Sequence, residues 1–315
     1  MNLILTTDCQ RKCSYCFAKD NQNNPMQFTM DNLVKTMHWL EQEKHILDRI
    51  ALLGGEPTIH PQFIEFLEYL LPKKLGILVF TNAMVEDVDI YNKIVGVAVK
   101  NRVRDFPQLG FCVNINESKY RTDKEEILQT LFFKKLGKVS MLSFNIFEET
   151  FDPYFLIEKI NEYSLIKSIR LGIAAPLGNR NNYLKIESFP KISKKIVNFM
   201  KEVAKQNIFI GFDCGFTRCM FSEEDIQDIK NLNNNITFDC GPSIDIYPNL
   251  EISSCYPMSV VLREKMENYE SPTHLFSYWQ SKFNNYKPIY DKCETCNYFL
   301  DLICNGGCKA YKANG

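Results

Sequence analysis

Residues 9–16 read Cys9-Gln10-Arg11-Lys12-Cys13-Ser14-Tyr15-Cys16, a C-x3-C-x2-C triplet eight residues from the start of the chain. The spacing puts three thiolates on one short loop. Three thiolates can hold a [4Fe-4S] cube and leave one iron open to a further ligand. With 12 cysteines in 315 residues, chance places such a triplet in only about 2% of comparable chains.

Working outward, short β-like runs alternate with helical stretches over the first two-thirds of the chain. Strands are expected at Leu3–Leu5, Ile50–Leu53, Ile77–Thr81, Leu109–Asn114, Val139–Phe144 and Ser168–Gly172. Helices are expected at Thr29–Glu43, with Thr29 as cap and Leu33, Val34, Met37 and Leu40 as the apolar stripe. Others are expected at Pro61–Leu71, Asp123–Leu136, near Tyr154–Glu162, and at Pro190–Gln206. Six strand–helix units of this kind predict an α/β fold built on a partial (β/α)6 barrel. In such barrels the chemistry lies at the carboxyl ends of the strands. Ile208–Phe212 reads as a bridge. Beyond Asp213, Cys, Asn, Gly and Pro become dense and helical periodicity weakens, which predicts a small unit held by metal. Residues 1–210 and 211–315 are therefore read as two domains, with Asn231–Asn235 a polar loop.

The chain carries 37 Lys and Arg against 38 Asp and Glu, and 45% hydrophobic residues. A packed core is within reach, and no global basic field exists to favour nucleic acid. The pairs Lys73-Lys74, Lys134-Lys135 and Lys194-Lys195 read as solvated helix faces. The chain opens with an apolar strand in place of a signal peptide and has no membrane-length apolar run, so a cytoplasmic location is expected. In a reducing compartment, clustered cysteines point to metal before disulfides. Cys112, alone on an expected strand, reads as a buried hydrophobe.

Each motif of interest follows an expected strand. The Cys loop follows the first, Gly54-Gly55-Glu56-Pro57 the second, and Thr81-Asn82 the third. A glycine pair lets backbone approach a ligand closely, and a neighbouring carboxylate can take an ammonium. Asn114, Ser143 and Asn145 end later strands. His60, in Thr58-Ile59-His60-Pro61, reads as a turn or cap residue ahead of a metal ligand.

These features resemble the radical S-adenosylmethionine (radical SAM) superfamily. Tyr15 fits the aromatic that usually precedes the third cysteine there. The resemblance implies a SAM-binding [4Fe-4S] cluster on Cys9, Cys13 and Cys16, and contact of Gly54, Gly55 and Glu56 with the SAM amino group. It further implies Thr81 and Asn82 near the ribose, with Tyr15, Asn114 and Ser143 completing the cofactor site. Ala83 stands where the family usually has Gly. The implied chemistry is reductive cleavage of SAM to a 5′-deoxyadenosyl radical, which takes a hydrogen atom from the substrate.

The tail holds Cys214-x4-Cys219, Cys240-x14-Cys255 and Cys293-x2-Cys296-x7-Cys304-x3-Cys308. Two iron–sulfur clusters, one cluster or structural zinc all satisfy thiolates in this number. Behind a radical SAM core the array resembles the SPASM domain, with a hairpin leading to Cys255. That resemblance implies a first auxiliary [4Fe-4S] cluster on Cys240, Cys255 and Cys308, with Cys219 or Cys214 as fourth ligand. It implies a second on Cys293, Cys296 and Cys304. The usual last cysteine of the pattern is missing, which leaves an open iron, a ligand from Cys214, or fewer clusters.

SPASM-type enzymes mostly modify peptides or proteins, forming thioethers, carbon–carbon crosslinks, epimers or oxidised side chains. A minority act on small molecules. The implied function is thus an oxidoreductase-like peptide maturase, the other reading being a small-molecule dehydrogenase or carbon–carbon bond-forming enzyme. Implied partners are a peptide or protein substrate and an electron donor such as flavodoxin or ferredoxin. Because the Cys loop starts at residue 9, a separate leader-peptide recognition protein, or recognition by the tail, is also expected. Sulfatase-maturing enzymes carry Asp directly after the cysteine matching Cys255. Tyr256 stands there here, leaving Tyr256, Asp213 and Asp245 as candidates for a catalytic base, each also suited to a structural role.

Overall fold

The computed structural model describes residues 1–19, 24–43, 47–103, 108–177, 181–238, 240–283 and 285–314. Strand and helix alternate as β1 (Asn2–Thr6), α1 (Met30–Leu40), β2 (Arg49–Gly54), α2 (Phe63–Leu70), β3 (Gly76–Thr81) and α3 (Asp89–Lys100). There follow β4 (Leu109–Asn114), α4 (Asp123–Leu136), β5 (Ser140–Ile146), α5 (Phe155–Tyr163), β6 (Ser168–Ile173) and α6 (Phe189–Ala204). Then come β7 (Phe209–Phe212), α7 (Glu223–Leu232), β8 (Asp245–Ile246), β9 (Glu251–Ser253), β10 (Arg263–Lys265) and α8 (Pro272–Phe283). The Thr29 hydroxyl accepts the Asn32 N–H at 3.1 Å and so caps α1, a contact of about 1 kcal/mol.

All strands join one sheet in the order β10-β9-β8-β1-β2-β3-β4-β5-β6-β7. Strands β1 to β7 run parallel, β8 pairs parallel with β1, and β9 and β10 add antiparallel. The sheet is the partial barrel expected, and its register sorts the side chains by face. Leu3, Leu5, Ile50, Leu52, Ile77, Val79, Phe111, Val113, Leu142, Phe144, Ile169 and Leu171 are buried under the helices in one core. Each contributes about 1.5–3 kcal/mol by leaving water. The other face pairs Phe80 with Cys112, Asn114 with Ser143, Ser143 with Arg170, and Arg170 with Gly211. Phe80, Asn114, Asn145 and Arg170 keep accessible surface there, so the concave face is polar and open.

Two expectations are corrected. Residues 208–212 do not bridge: Phe209–Phe212 is a seventh parallel strand, paired with β6 from Ser168↔Phe209 to Leu171↔Phe212. As the last strand in line it leaves Phe209 exposed, which breaks the burial pattern a central strand shows. The tail is also more helical than its composition suggests. In α7, Ser222 and Asp225 form a reciprocal capping box, and the helix takes in Asn231 and Leu232 from the expected loop. In α8, Leu275, Trp279 and Phe283 follow at four-residue steps and are buried in the same core as the barrel helices.

Candidate functional site: the three-thiol loop and the concave face

The Cys loop leaves β1 and lies directly on the turn after β2. Gly55 N–H donates to Thr6 O and Glu56 N–H to Asp8 O, both at 2.8 Å. A Cβ on Gly54 would stand 2.4 Å from Thr6 O, and one on Gly55 2.1 Å from Asp8 O and 2.8 Å from the Cys9 Cβ. The tight approach that requires this glycine pair is therefore to the backbone carrying Cys9. Burial pushes the Cys9 thiol up to about 12 and the Cys16 thiol up to about 11.

Glu56 is fully buried. Its Oε1 accepts the Thr58 hydroxyl at 2.7 Å, the Thr81 hydroxyl at 2.7 Å and Thr58 N–H at 3.1 Å, while Oε2 accepts Asn82 N–H at 2.7 Å. Burial raises its carboxyl above the usual range, and these donors pull the other way. The carboxylate thus faces inward and ties the turn after β2 to the turn after β3. Beyond that tie, Asn82 Oδ1 accepts Met84 N–H at 2.8 Å, and Asn82 Nδ2 lies 3.7 Å from the Cys9 sulfur. Ala83 has φ +59°. The left-handed turn that favours glycine is therefore kept with alanine in place.

Tyr15 anchors the other end of the loop. Its ring stacks on Phe147 at 4.8 Å, and its hydroxyl lies 2.8 Å from both Asn114 Oδ1 and Asn116 Oδ1. One hydroxyl donates one proton, so one of these amides must present its NH2 to the phenol oxygen. Asn181 Nδ2 donates to Tyr15 O at 3.0 Å, and Asn182 N–H donates to Ser14 O at 2.9 Å. Arg11, buried within the loop, donates from Nη1 to Asn114 O at 2.9 Å and pairs through Nη2 with Glu125 of α4. Sequence reasoning missed Arg11, Asn116, Glu125 and Asn181, whose partners lie far along the chain.

On the concave face, Arg170 pairs with Asp213 just past β7, lies 4.9 Å over the Phe80 ring, and stands 3.4 Å from the Ser143 hydroxyl. Gly172 opens room for Asn145: a Cβ there would stand 2.7 Å from Asn145 Oδ1. Cys112 is buried, which raises its thiol to about 11. Of the three base candidates, Asp213 alone lines this face. Asp245 is buried under β1, accepting Asn2 Nδ2 at 2.6 Å and the Ser243 hydroxyl at 2.9 Å. Tyr256 packs at 5.2 Å on Phe17 and 5.6 Å on Tyr247. His60 Nδ1 accepts Gln62 N–H at 3.0 Å in the turn ahead of α2, the first of the two roles, turn or cap, expected of it.

The tail cysteines fall into two groups. Cys214, Cys240, Cys255 and Cys308 lie within electrostatic reach of one another, every pair included. The Cys308 thiol donates to Cys240, which brings Cys240 down to about 7. Cys293 in turn feels Cys219, Cys304 and Cys296. Among the described residues no three His, Cys, Asp or Glu side chains converge on a single-ion site. Thiols in such number suit iron–sulfur clusters or structural zinc alike, and the three-thiol loop would hold a cube through Cys9, Cys13 and Cys16.

An open parallel sheet with a three-thiol loop at the carboxyl end of its first strand and a polar concave face defines the radical SAM fold. Residues 3–131 match the family model described as Radical SAM superfamily. Streptococcus suis SuiB bound to S-adenosylmethionine superposes with a TM-score of 0.69 at 15% identity, covering 98% of this chain and 72% of SuiB. Native anSMEcpe with bound AdoMet gives 0.66 at 17% identity, covering 100% of this chain and 91% of that one. A curated relative, the S-adenosylmethionine-dependent nucleotide dehydratase of Selenomonas ruminantium, is 29% identical over 84 residues. That match spans 26% of this chain and 29% of the relative. Among the described residues no helix is long and apolar enough to cross a membrane.

Proposed function

We propose that this chain is a radical SAM enzyme that modifies a peptide or protein. In this reading residues 1–210 form the barrel and residues 211–315 an auxiliary-cluster unit of the SPASM kind. When bound, the first cluster and SAM supply a 5′-deoxyadenosyl radical that abstracts a substrate hydrogen. The chain's own residues then do the positioning: Gly54 and Gly55 seat the Cys loop, Glu56 holds the Thr81-Asn82 turn, and Tyr15 and Arg11 fix the loop's far side.

The observation that carries the peptide reading is the charge of the concave face. Among the described residues of β3–β7 it bears one cation, Arg170, already matched by Asp213. A neutral stretch of chain suits such a face, whereas a triphosphate calls for several unpaired cations. Two of the structural neighbours were solved with peptides, SuiB with its precursor peptide SuiA and anSMEcpe with the Cp18Cys peptide. The identity to a nucleotide dehydratase favours a second reading, a nucleotide or other small molecule as substrate. A cytoplasmic setting with a flavodoxin- or ferredoxin-type donor completes the proposal.

The test is anaerobic reconstitution with SAM and dithionite. 5′-Deoxyadenosine must form with the wild type and vanish with Cys13→Ala; wild-type turnover in that variant sinks the radical SAM reading. Stimulation by ATP, CTP, GTP or UTP, with none by short peptides encoded beside the gene, replaces the peptide reading with the nucleotide one.

A further inference from the structure

We infer that Cys219 completes the second auxiliary cluster, with Cys293, Cys296 and Cys304, and that Cys214 belongs to the first, with Cys240, Cys255 and Cys308. This rests on the auxiliary-cluster reading above and assigns all eight tail thiols as two closed quartets, with no open iron in either.

The packing of the segment around Cys219 carries the assignment. A short helical turn, Arg218–Met220, lies against the segment running from Cys293 to Cys308. Thr217 faces Gly307 so closely that a Cβ on Gly307 would stand 2.7 Å from the Thr217 methyl. The Arg218 guanidinium lies 3.8 Å over the Tyr298 ring, and Glu223 both pairs with Arg218 and accepts the Tyr298 hydroxyl at 3.4 Å. Residues on both sides of Cys219 are thus fixed onto the loop that carries Cys293, Cys296 and Cys304. Tyr290 feels both Cys219 and Cys293, and Arg218 feels Cys296.

Cys214 is held elsewhere. Its carbonyl accepts Ile173 N–H at 2.9 Å, and a Cβ on Gly215 would stand 2.6 Å from the Ile173 side chain. This fixes Cys214 at the end of β6, beside Asp213 and Arg170. Cys240 is held against the tail segment that ends at Cys308: its N–H donates to Asn305 Oδ1 at 3.1 Å, Asn305 Nδ2 donates back to Cys240 O, and its thiol faces both Cys308 and Cys214. The four residues between Cys214 and Cys219 therefore span between the two groups. Both cysteines have accessible surface.

The test uses the full chain, reconstituted anaerobically, and reads alkylation by iodoacetamide at each cysteine by mass spectrometry, alongside iron and sulfide content. In the wild type, about 12 iron per chain and protection of both Cys214 and Cys219 are expected. Cys304→Ala should raise Cys219 alkylation at least tenfold and leave Cys214 protected; Cys255→Ala should do the reverse. The opposite pattern, or joint exposure of both cysteines in either variant with Cys9, Cys13 and Cys16 still protected, overturns the assignment. A wild type with about 4 iron and both cysteines freely alkylated instead overturns the auxiliary-cluster reading on which it stands. Loss of protection at Cys9, Cys13 and Cys16 marks a misfolded variant. Cys293→Ala, which predicts the same result as Cys304→Ala, then decides the question.

Discussion

The Thr81 hydroxyl donates to the buried Glu56 carboxylate at 2.7 Å, so the ends of β2 and β3 are locked together beneath the Cys loop. Glutamine offers one acceptor where the carboxylate has two and adds an NH2 that faces donors. Glu56→Gln is expected to lower unfolding stability of the apoprotein by about 2–4 kcal/mol, measured by urea denaturation. Wild-type stability joined to weaker SAM binding would assign the carboxylate to the ligand instead.

Arg11 and Glu125 form a buried pair. Removing either partner leaves the other charge uncompensated, whereas removing both does not. Arg11→Leu and Glu125→Leu should each destabilise by about 3 kcal/mol, with the double variant less destabilised than the sum of the two. Additive losses in the double-mutant cycle would show that the pair is not coupled.

Ala83 occupies a left-handed turn. Ala83→Gly relieves about 1 kcal/mol of backbone strain and loses a buried methyl worth about 0.8 kcal/mol. Stability within about 1 kcal/mol of wild type is therefore expected. Ala83→Val should cost at least about 2 kcal/mol, because a β-branched residue fits this turn poorly.

A Cβ on Gly211 meets nothing within 4 Å, and Gly211 lies in register with Arg170 on the concave face. Gly211→Leu is expected to fold with stability close to wild type yet fill substrate space. SAM cleavage without substrate should persist while substrate-stimulated 5′-deoxyadenosine formation falls at least about tenfold. Undiminished stimulation would move the substrate off this face.

The loop thiols give a pH signature. Cys9 and Cys16 ionise well above the usual value of about 8.5, because burial disfavours their thiolates. Below that usual value the contribution to apoprotein stability is complete; as pH rises toward 11 or 12 it is lost. The melting temperature of the apoprotein should fall from about pH 9 upward. The iron-loaded protein binds these thiols as thiolates and should not show that fall, while iron uptake, which releases their protons, should improve from pH 6 to 8.5.

Much of the fold was legible because periodicity and burial agree: β1 to β6 are apolar runs with every second residue under the helices. Strand β7 was hidden by Gly211 and by its edge position, which exposes Phe209. Helix α3 was not anticipated because its Ile- and Val-rich run, interrupted by Gly96, has weak helix propensity. At the site, residues following strands were readable from order alone. Arg11 and Asn181 were not, since what they touch is settled by tertiary packing. The glycine pair also serves a role that its place in the sequence did not show: the backbone it admits includes that of Cys9's own loop.

Strand β1 lies between β2 and β8, so the strand that launches the Cys loop is flanked on one side by the tail. Asn2 and Leu3 meet Asp245 and Ile246 along that edge, and the Asn2 side chain donates to an Asp245 carboxylate 243 positions further along the chain. The footing of the cluster loop is therefore shared between the two ends of the sequence, and any loosening of the tail at Asp245–Ile246 reaches Cys9 through β1.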